Sequence, residues 1–182
     1  EYGDVYVAVI NNSADLAEAC EWLKQDAAQS TCMLKILSIH QPPYYTNAKN
    51  GGSEKFHELI PAAAEAAGID AVFSGHDHSY ARIMARDGAA VTENGVTYFI
   101  CGDLGEKSRD QNYAISSDFD YAYCEQGYEG LILYVTANDK TMTVSAYDSK
   151  DGRLVDSAVL QSRCARGHQL TTYRDGKSVC AV

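Results

Sequence analysis

Between residues 4 and 74 the hydrophobic pattern switches back and forth between two periods. Asp4 to Ile10 alternates, with Val5, Val7 and Val9 on one face, which is the pattern of a strand. Ala14 to Ala28 repeats at helical spacing, with Leu16, Ala19, Leu23 and Ala27 on one face. Asn11-Asn12-Ser13 offers a cap before it. Cys32 to Ile39 is a second strand. Ser53 to Ile60 opens a second helix, and Pro61 either starts a further helical segment at its tolerated first position or kinks the first. Ala62 to Ala67 continues, Gly68 stops it, and Ala71 to Ser74 is a third strand. Strand, helix, strand, helix, strand is the pattern of right-handed crossovers, and so of a sheet with parallel strands.

Two of these strands end on histidine. Ile36-Leu37-Ser38-Ile39 runs into His40, and Ala71-Val72-Phe73 runs into Gly75-His76-Asp77-His78. The carboxyl ends of strands are where an α/β sheet presents ligands to a metal or a substrate. Neutral imidazole suits zinc, iron or manganese. In extended backbone His76 and His78 point the same way and Asp77 points away. Gly75, with no Cβ, lets the backbone turn sharply beside them. Gln41 to Gly52, with two prolines and two glycines, reads as a loop long enough to rim a site, with Tyr44 and Tyr45 as candidates for the rim. His57 reads as an exposed helix residue.

The second half changes character. Tyr80 to Met84, Thr97 to Cys101, Gly130 to Thr136, Thr141 to Tyr147 and Leu154 to Leu160 read as strands joined at Asn94-Gly95, Asn138-Asp139 and Asp151-Gly152. Gly102 to Gly127 reads as a long surface loop. Within it Gly102-Asp103-Leu104-Gly105-Glu106 mimics an acidic ligand motif, although a solvated turn explains it more simply. From Gln161 the alternation ends. The organisation expected is residues 1–160 as one domain portion and 161–182 as a short Cys-containing tail, in which Cys164 pairs with Cys180 or joins His168 and Cys180 around zinc.

The 182 residues suffice for one domain with a real core. A net charge of −10 argues against nucleic acid and against an anionic membrane surface, and no apolar run has the length of a membrane span. The sequence opens on Glu1-Tyr2-Gly3 with no initiator Met or signal peptide, as expected of a processed product or an excised piece. The six cysteines are too widely spread for a disulfide-framework miniprotein. Cys101, inside Tyr98-Phe99-Ile100-Cys101, reads as a reduced core thiol.

Leu37-Ser38-Ile39-His40-Gln41-Pro42-Pro43-Tyr44 resembles the penultimate motif of the calcineurin-like metallophosphoesterases. Phe73-Ser74-Gly75-His76-Asp77-His78-Ser79-Tyr80-Ala81-Arg82 resembles their last. The flavour is that of the purple acid phosphatase branch and its bacterial relatives. Glu21-Trp22-Leu23, Gly68-Ile69-Asp70 and Asn94-Gly95-Val96-Thr97-Tyr98 agree, so the resemblance covers residues 2 to 160. It implies an α/β fold, the C-terminal half of a four-layer α/β sandwich, with a mixed sheet and a hairpin-rich second sheet. It also implies a phosphatase that hydrolyses phosphate esters. Two metal ions (Fe, Zn or Mn) about 3.5 Å apart activate a water and clamp the phosphate.

By the same resemblance His40 and His76 would bind one metal and His78 the other, while Tyr80 and Arg82 would pack or hydrogen-bond. The family's bridging Asp, its Asn ligand and its catalytic His belong to Asp-x-His, Gly-Asp-x-x-Asp/Tyr and Gly-Asn-His motifs, none of which stands upstream of His40. No catalytic residue is therefore assigned in this chain, and poor metal affinity and no turnover are expected of it alone. Its expected partners are a phosphate-ester substrate in the parent, the missing N-terminal half of the domain, and itself, through an exposed sheet face. The tail resembles the start of small modules on bacterial surface proteins, which implies an extracellular or cell-surface location. The alternatives are a non-catalytic binding or structural module with a vestigial motif, and a mononuclear metal domain that adds water or Asp103 to the three histidines.

Overall fold

The computed structural model describes residues 1–49, 52–102, 113–138, 140–163, 170–174 and 177–180, with side chains as far as residue 163. The chain runs β1 (Val5–Ile10), α1 (Leu16–Ala27), β2 (Leu34–Ile39), α2 (Glu54–Ala66), β3 (Ala71–Ser74), β4 (Tyr80–Arg86), β5 (Ala89–Ala90), β6 (Val96–Cys101), β7 (Tyr123–Glu125), β8 (Leu131–Asn138), β9 (Thr141–Asp148), β10 (Leu154–Gln161), β11 (Leu170–Arg174) and β12 (Lys177–Cys180).

β1, β2, β3 and β6 lie side by side and parallel, as the crossover pattern requires. β4 then pairs antiparallel with β6, and β5 and β7 pair with β4, which makes a seven-stranded mixed sheet with β1 at one edge. A second sheet of β10, β9 and β8 is antiparallel throughout. Helices, mixed sheet and antiparallel sheet form three layers of an α/β sandwich. No helix covers the outer face of the second sheet among the described residues, and the mixed sheet with its hairpin-built second sheet is the arrangement expected.

Burial explains the layering. Tyr6, Ala8 and Ile10 of β1 are buried with Leu23 and Ala27 of α1 and Phe56, Ile60 and Ala64 of α2. The opposite face of the mixed sheet meets the second sheet through Leu34, Ala71, Phe99, Met142, Val144 and Leu160. Val5, Val7 and Val9 do share a face, but it is the one turned from the helices. Because the second sheet ends at β8, Val7 and Val9 remain 46% and 67% exposed.

Local chemistry sets the helix ends. The cap of α1 is Asp15, whose carboxylate accepts from Ala17 N and Glu18 N at 3.0 and 3.1 Å. Asn11-Asn12-Ser13 does not cap the helix; Asn11 instead caps its own turn by accepting from Ser13 N. Pro61 sits inside one continuous α2. Gly68 ends that helix with φ +70°, and Ile69 N donates to Ala64 O, the Schellman closure that a left-handed residue makes possible.

One hairpin escaped the sequence reading: Asp87-Gly88, both at positive φ, turns β4 into β5. A second pairs β11 with β12 beyond Gln161, where no element was expected. Cys164 and His168 lie outside the described residues, as does the side chain of Cys180, and so does the predicted pairing. Before that point the chain is firmly tied. Arg163 N donates to Asp70 Oδ1 at 2.6 Å, and Arg163 Nη1 donates to Glu65 O at 3.2 Å.

Candidate metal centre

The neighbouring strands β2 and β3 deliver the predicted histidines to one place. His40 follows β2, the Gly75–His78 turn follows β3, and Gly75 N donates to His40 O at 3.0 Å, stapling the two strand ends together. His40 Nε2 and His76 Nδ1 stand 3.4 Å apart with their rings edge to face. A cavity of about 610 Å³ opens over them, lined also by His78, Asn47, Cys101 and Tyr113. A second cavity of about 720 Å³ adjoins it, sharing His40, Gly75 and Cys101 and running between the two sheets past Phe73, Leu133 and Val135.

Two observations bear on whether these residues fit metal. The nitrogens of two ligands on one tetrahedral ion are about 3.3 Å apart, given metal–nitrogen bonds of about 2.0–2.1 Å. The spacing of His40 and His76 matches that edge, although a single N–H···N hydrogen bond has the same length. His78 Nδ1 is buried without a hydrogen-bond partner among the described residues, and buried polar atoms are ordinarily satisfied. Among those residues no three His, Cys, Asp or Glu side chains converge on a single ion. The described residues therefore offer one pair of facing imidazoles and one orphaned ring nitrogen rather than a complete coordination sphere. Asp103 and the rest of Gly102-Asp103-Leu104-Gly105-Glu106 beyond Gly102 lie outside the described residues.

The turn departs from a simple extended His-x-His. The left-handed residue is His76, with φ +66°, not Gly75. A Cβ on Gly75 would meet His40 Nδ1 at 3.7 Å, an ordinary contact. The position that excludes a side chain is Gly102, where a Cβ would fall 1.9 Å from the Asp77 carbonyl. Asp77 also lines the basin, but it is 2% exposed and its carboxylate is bonded to Thr46 and Asn47.

Other expectations are corrected. Tyr44 does not rim the cleft. It is 1% exposed and packs edge-on against Tyr98, His57 and Phe119, and burial pushes its phenol up to about 12. His57 is half-buried among those rings, with Nδ1 3.0 Å from Pro43 O. Cys101 is only partly buried and lines both cavities. No disulfide joins Cys20, Cys32, Cys101 or Cys124. Tyr80 and Arg82 do hydrogen-bond: both donate to Asp156 of β10 and so tie the two sheets together. Asn47 and Tyr113 were missed as basin residues. The length of the loop after His40 was the only sequence signal for the first, and nothing local marked the second.

No family model matches the chain. It is 31% identical over 91 residues to purple acid phosphatase 22 of Arabidopsis thaliana, a match covering 48% of this chain and 21% of that protein. It is 32% identical over 98 residues to purple acid phosphatase 15 of the same plant, covering 51% and 18%. Over about half of its length the chain is similar to purple acid phosphatases. The matched stretch spans about a fifth of the length of those proteins.

Solved structures share the fold. Purple acid phosphatase PPD1 from yellow lupin seeds superposes with a TM-score of 0.68 at 16% identity, over 87% of this chain and 31% of that one. GAP50, described as the anchor in the inner membrane complex of Plasmodium, gives 0.66 at 16% identity, over 87% and 49%. The fold thus matches a part of each of those longer chains. No described helix is long and apolar enough to cross a membrane.

Proposed function

We propose that the chain is the histidine wall of a dinuclear metallophosphoesterase site, with His40 and His76 on one ion and His78 on the other. Its parent would hydrolyse phosphate esters. The observation that carries this reading is the facing pair of ring nitrogens at 3.4 Å beside the orphaned Nδ1 of His78, at the ends of adjacent parallel strands. The ions, Fe, Zn or Mn, would supply a hydroxide nucleophile and charge for the phosphate oxygens. This chain's residues hold and orient them. Three imidazoles leave the ions' charge uncompensated, so carboxylate ligands beyond the three histidines would be needed, supplied in this reading by another segment, and the chain alone would be inactive.

The fold leaves room for that segment. The mixed sheet ends at β1, the second sheet ends at β8, and between the two edges runs the trough lined by Val9, Leu133 and Val135 that opens into the histidine basin. A strand-bearing N-terminal half of the domain, bringing the carboxylates, is the occupant that completes both sheet and site. In its absence a second copy of the chain is the natural substitute. An extracellular or cell-surface location in a bacterium is part of the same reading, carried by the resemblance.

Likeness to GAP50 shows that the fold is not confined to proteins titled phosphatases, so a non-catalytic module is the second reading. The mononuclear alternative is less well supported, because no three ligands converge among the described residues.

The test is calorimetric titration of the chain with Zn²⁺ and Mn²⁺, beside hydrolysis of p-nitrophenyl phosphate. Weak binding, lost in His40→Ala and His76→Ala, with no turnover, is the expected result. Binding indifferent to those substitutions overturns the assignment. Two fully occupied ions, or steady turnover, overturn the claim that the site is incomplete.

A further inference from the structure

We propose that Asp77 is a positioning residue for the histidines, a buried carboxylate that fastens the loop after His40 to the turn carrying His76 and His78. The inference rests on the reading of those histidines as metal ligands, but it concerns a residue that the reading leaves out.

The turn needs holding. His76 adopts a left-handed φ of +66°, a conformation that costs a residue with a Cβ and persists only where its surroundings over-determine it. The backbone also folds back on itself twice, Asp77 N donating to Gly75 O and Ser79 N to Asp77 O, both at 2.8 Å. What the surroundings supply is the Asp77 side chain. A single oxygen, Oδ2, accepts from Thr46 N at 2.6 Å, from Thr46 Oγ1 at 3.1 Å and from Asn47 N at 3.1 Å.

Charge-assisted acceptors of this kind are the strong ones, and two of the donors are main-chain amides that would otherwise stand unpaired in a loop. The Thr46 hydroxyl continues the link to Ser79 Oγ at 2.7 Å and Tyr113 OH at 2.9 Å. From the other side Gly102 presses on the turn, its N donating to Ser79 O. Asp77 therefore occupies the middle of the His-x-His not as a spare ligand but as its anchor. It fixes the angle at which the two rings leave the backbone, and it draws Asn47 to the wall of the basin.

The test uses the full chain, with Zn²⁺ alone as the probe and the ring nitrogen resonances of the histidines as the second readout. Asp77→Ala is expected to shift the signals of His76 and His78 and to weaken Zn²⁺ binding about tenfold. Asp77→Asn, which keeps an acceptor oxygen, should recover most of both. Thr46→Val removes one donor and should give a smaller shift of the same kind, so the proposal stays testable if Asp77→Ala does not fold. A lowered melting temperature with unchanged ring signals and unchanged Zn²⁺ binding overturns it. If the unaltered chain binds no Zn²⁺, the metal reading fails, and the ring signals alone decide: displaced in the variants they uphold the anchor, unmoved they refute it.

Discussion

Arg82 and Tyr80 spend their polar groups on one carboxylate. Arg82 Nε and Nη2 reach Asp156 at 2.7 and 3.1 Å, and the Tyr80 hydroxyl reaches it at 2.8 Å. Charged hydrogen bonds that are mostly sheltered from water are worth about 1.5–3 kcal/mol each, and removing one partner strands the other. Asp156→Ala should therefore cost about 2–4 kcal/mol in urea unfolding. Combined with Arg82→Ala it should cost clearly less than the sum of the two, because both changes break the same bonds. Burial alone would raise the Asp156 carboxyl, but the bonds from Arg82 and Tyr80 outweigh it and hold it below the usual carboxylate range. With the folded value depressed, the stabilisation is complete above about pH 4, the ordinary value for Asp, and is lost as pH falls toward the lowered one. Stability measured between about pH 5 and 2 should thus decline less steeply in Asp156→Asn than in the unaltered chain. Tyr80 and Arg82 were recognisable by their place in the motif, but Asp156 lies 74 residues from Arg82, and no local pattern marks it as their partner.

At the scale of elements, the parallel strands and both helices were legible because their hydrophobic period is a local property of the chain. The ends were less so. Any of several polar residues before α1 offers a cap by type, and only the helix start at Leu16 selects Asp15. Asp15→Ala should lower stability by about 1 kcal/mol. Gly68→Ala, forced into a left-handed φ of +70°, should lower it by about 1–2 kcal/mol. Thermal melts of the two variants check both, and an unchanged Gly68→Ala would mean that the helix ends differently in solution. The Asp87-Gly88 hairpin was available in the sequence as a standard turn dipeptide, yet the strand it serves is two residues long, too short for any periodicity to reveal.

At the scale of the whole molecule, the described surface carries two apolar regions. One is the trough where Val9 faces Leu133 and Val135. The other is the outer face of the second sheet, where Ile132, Tyr134 and Val159 stand exposed. Open sheet edges beside exposed valines favour pairing with another chain. The chain should therefore self-associate as its concentration rises, and Val9→Lys together with Val135→Lys should return it to monomer in light scattering. A monodisperse monomer at high concentration without these changes would count against the trough as a docking surface.

By itself the sequence determined the α/β class, the parallel order of crossovers and the positions of His40, His76 and His78 at strand ends. Each of these follows from local period and from motif. Only the tertiary structure decided that His40 and His76 face one another at 3.4 Å, that Gly102 rather than Gly75 is the position without room, and that Asp77 turns inward to grip Thr46 and Asn47. These are contacts between residues about 25 or more positions apart in the chain, and their geometry exists only once the strands have brought the segments side by side.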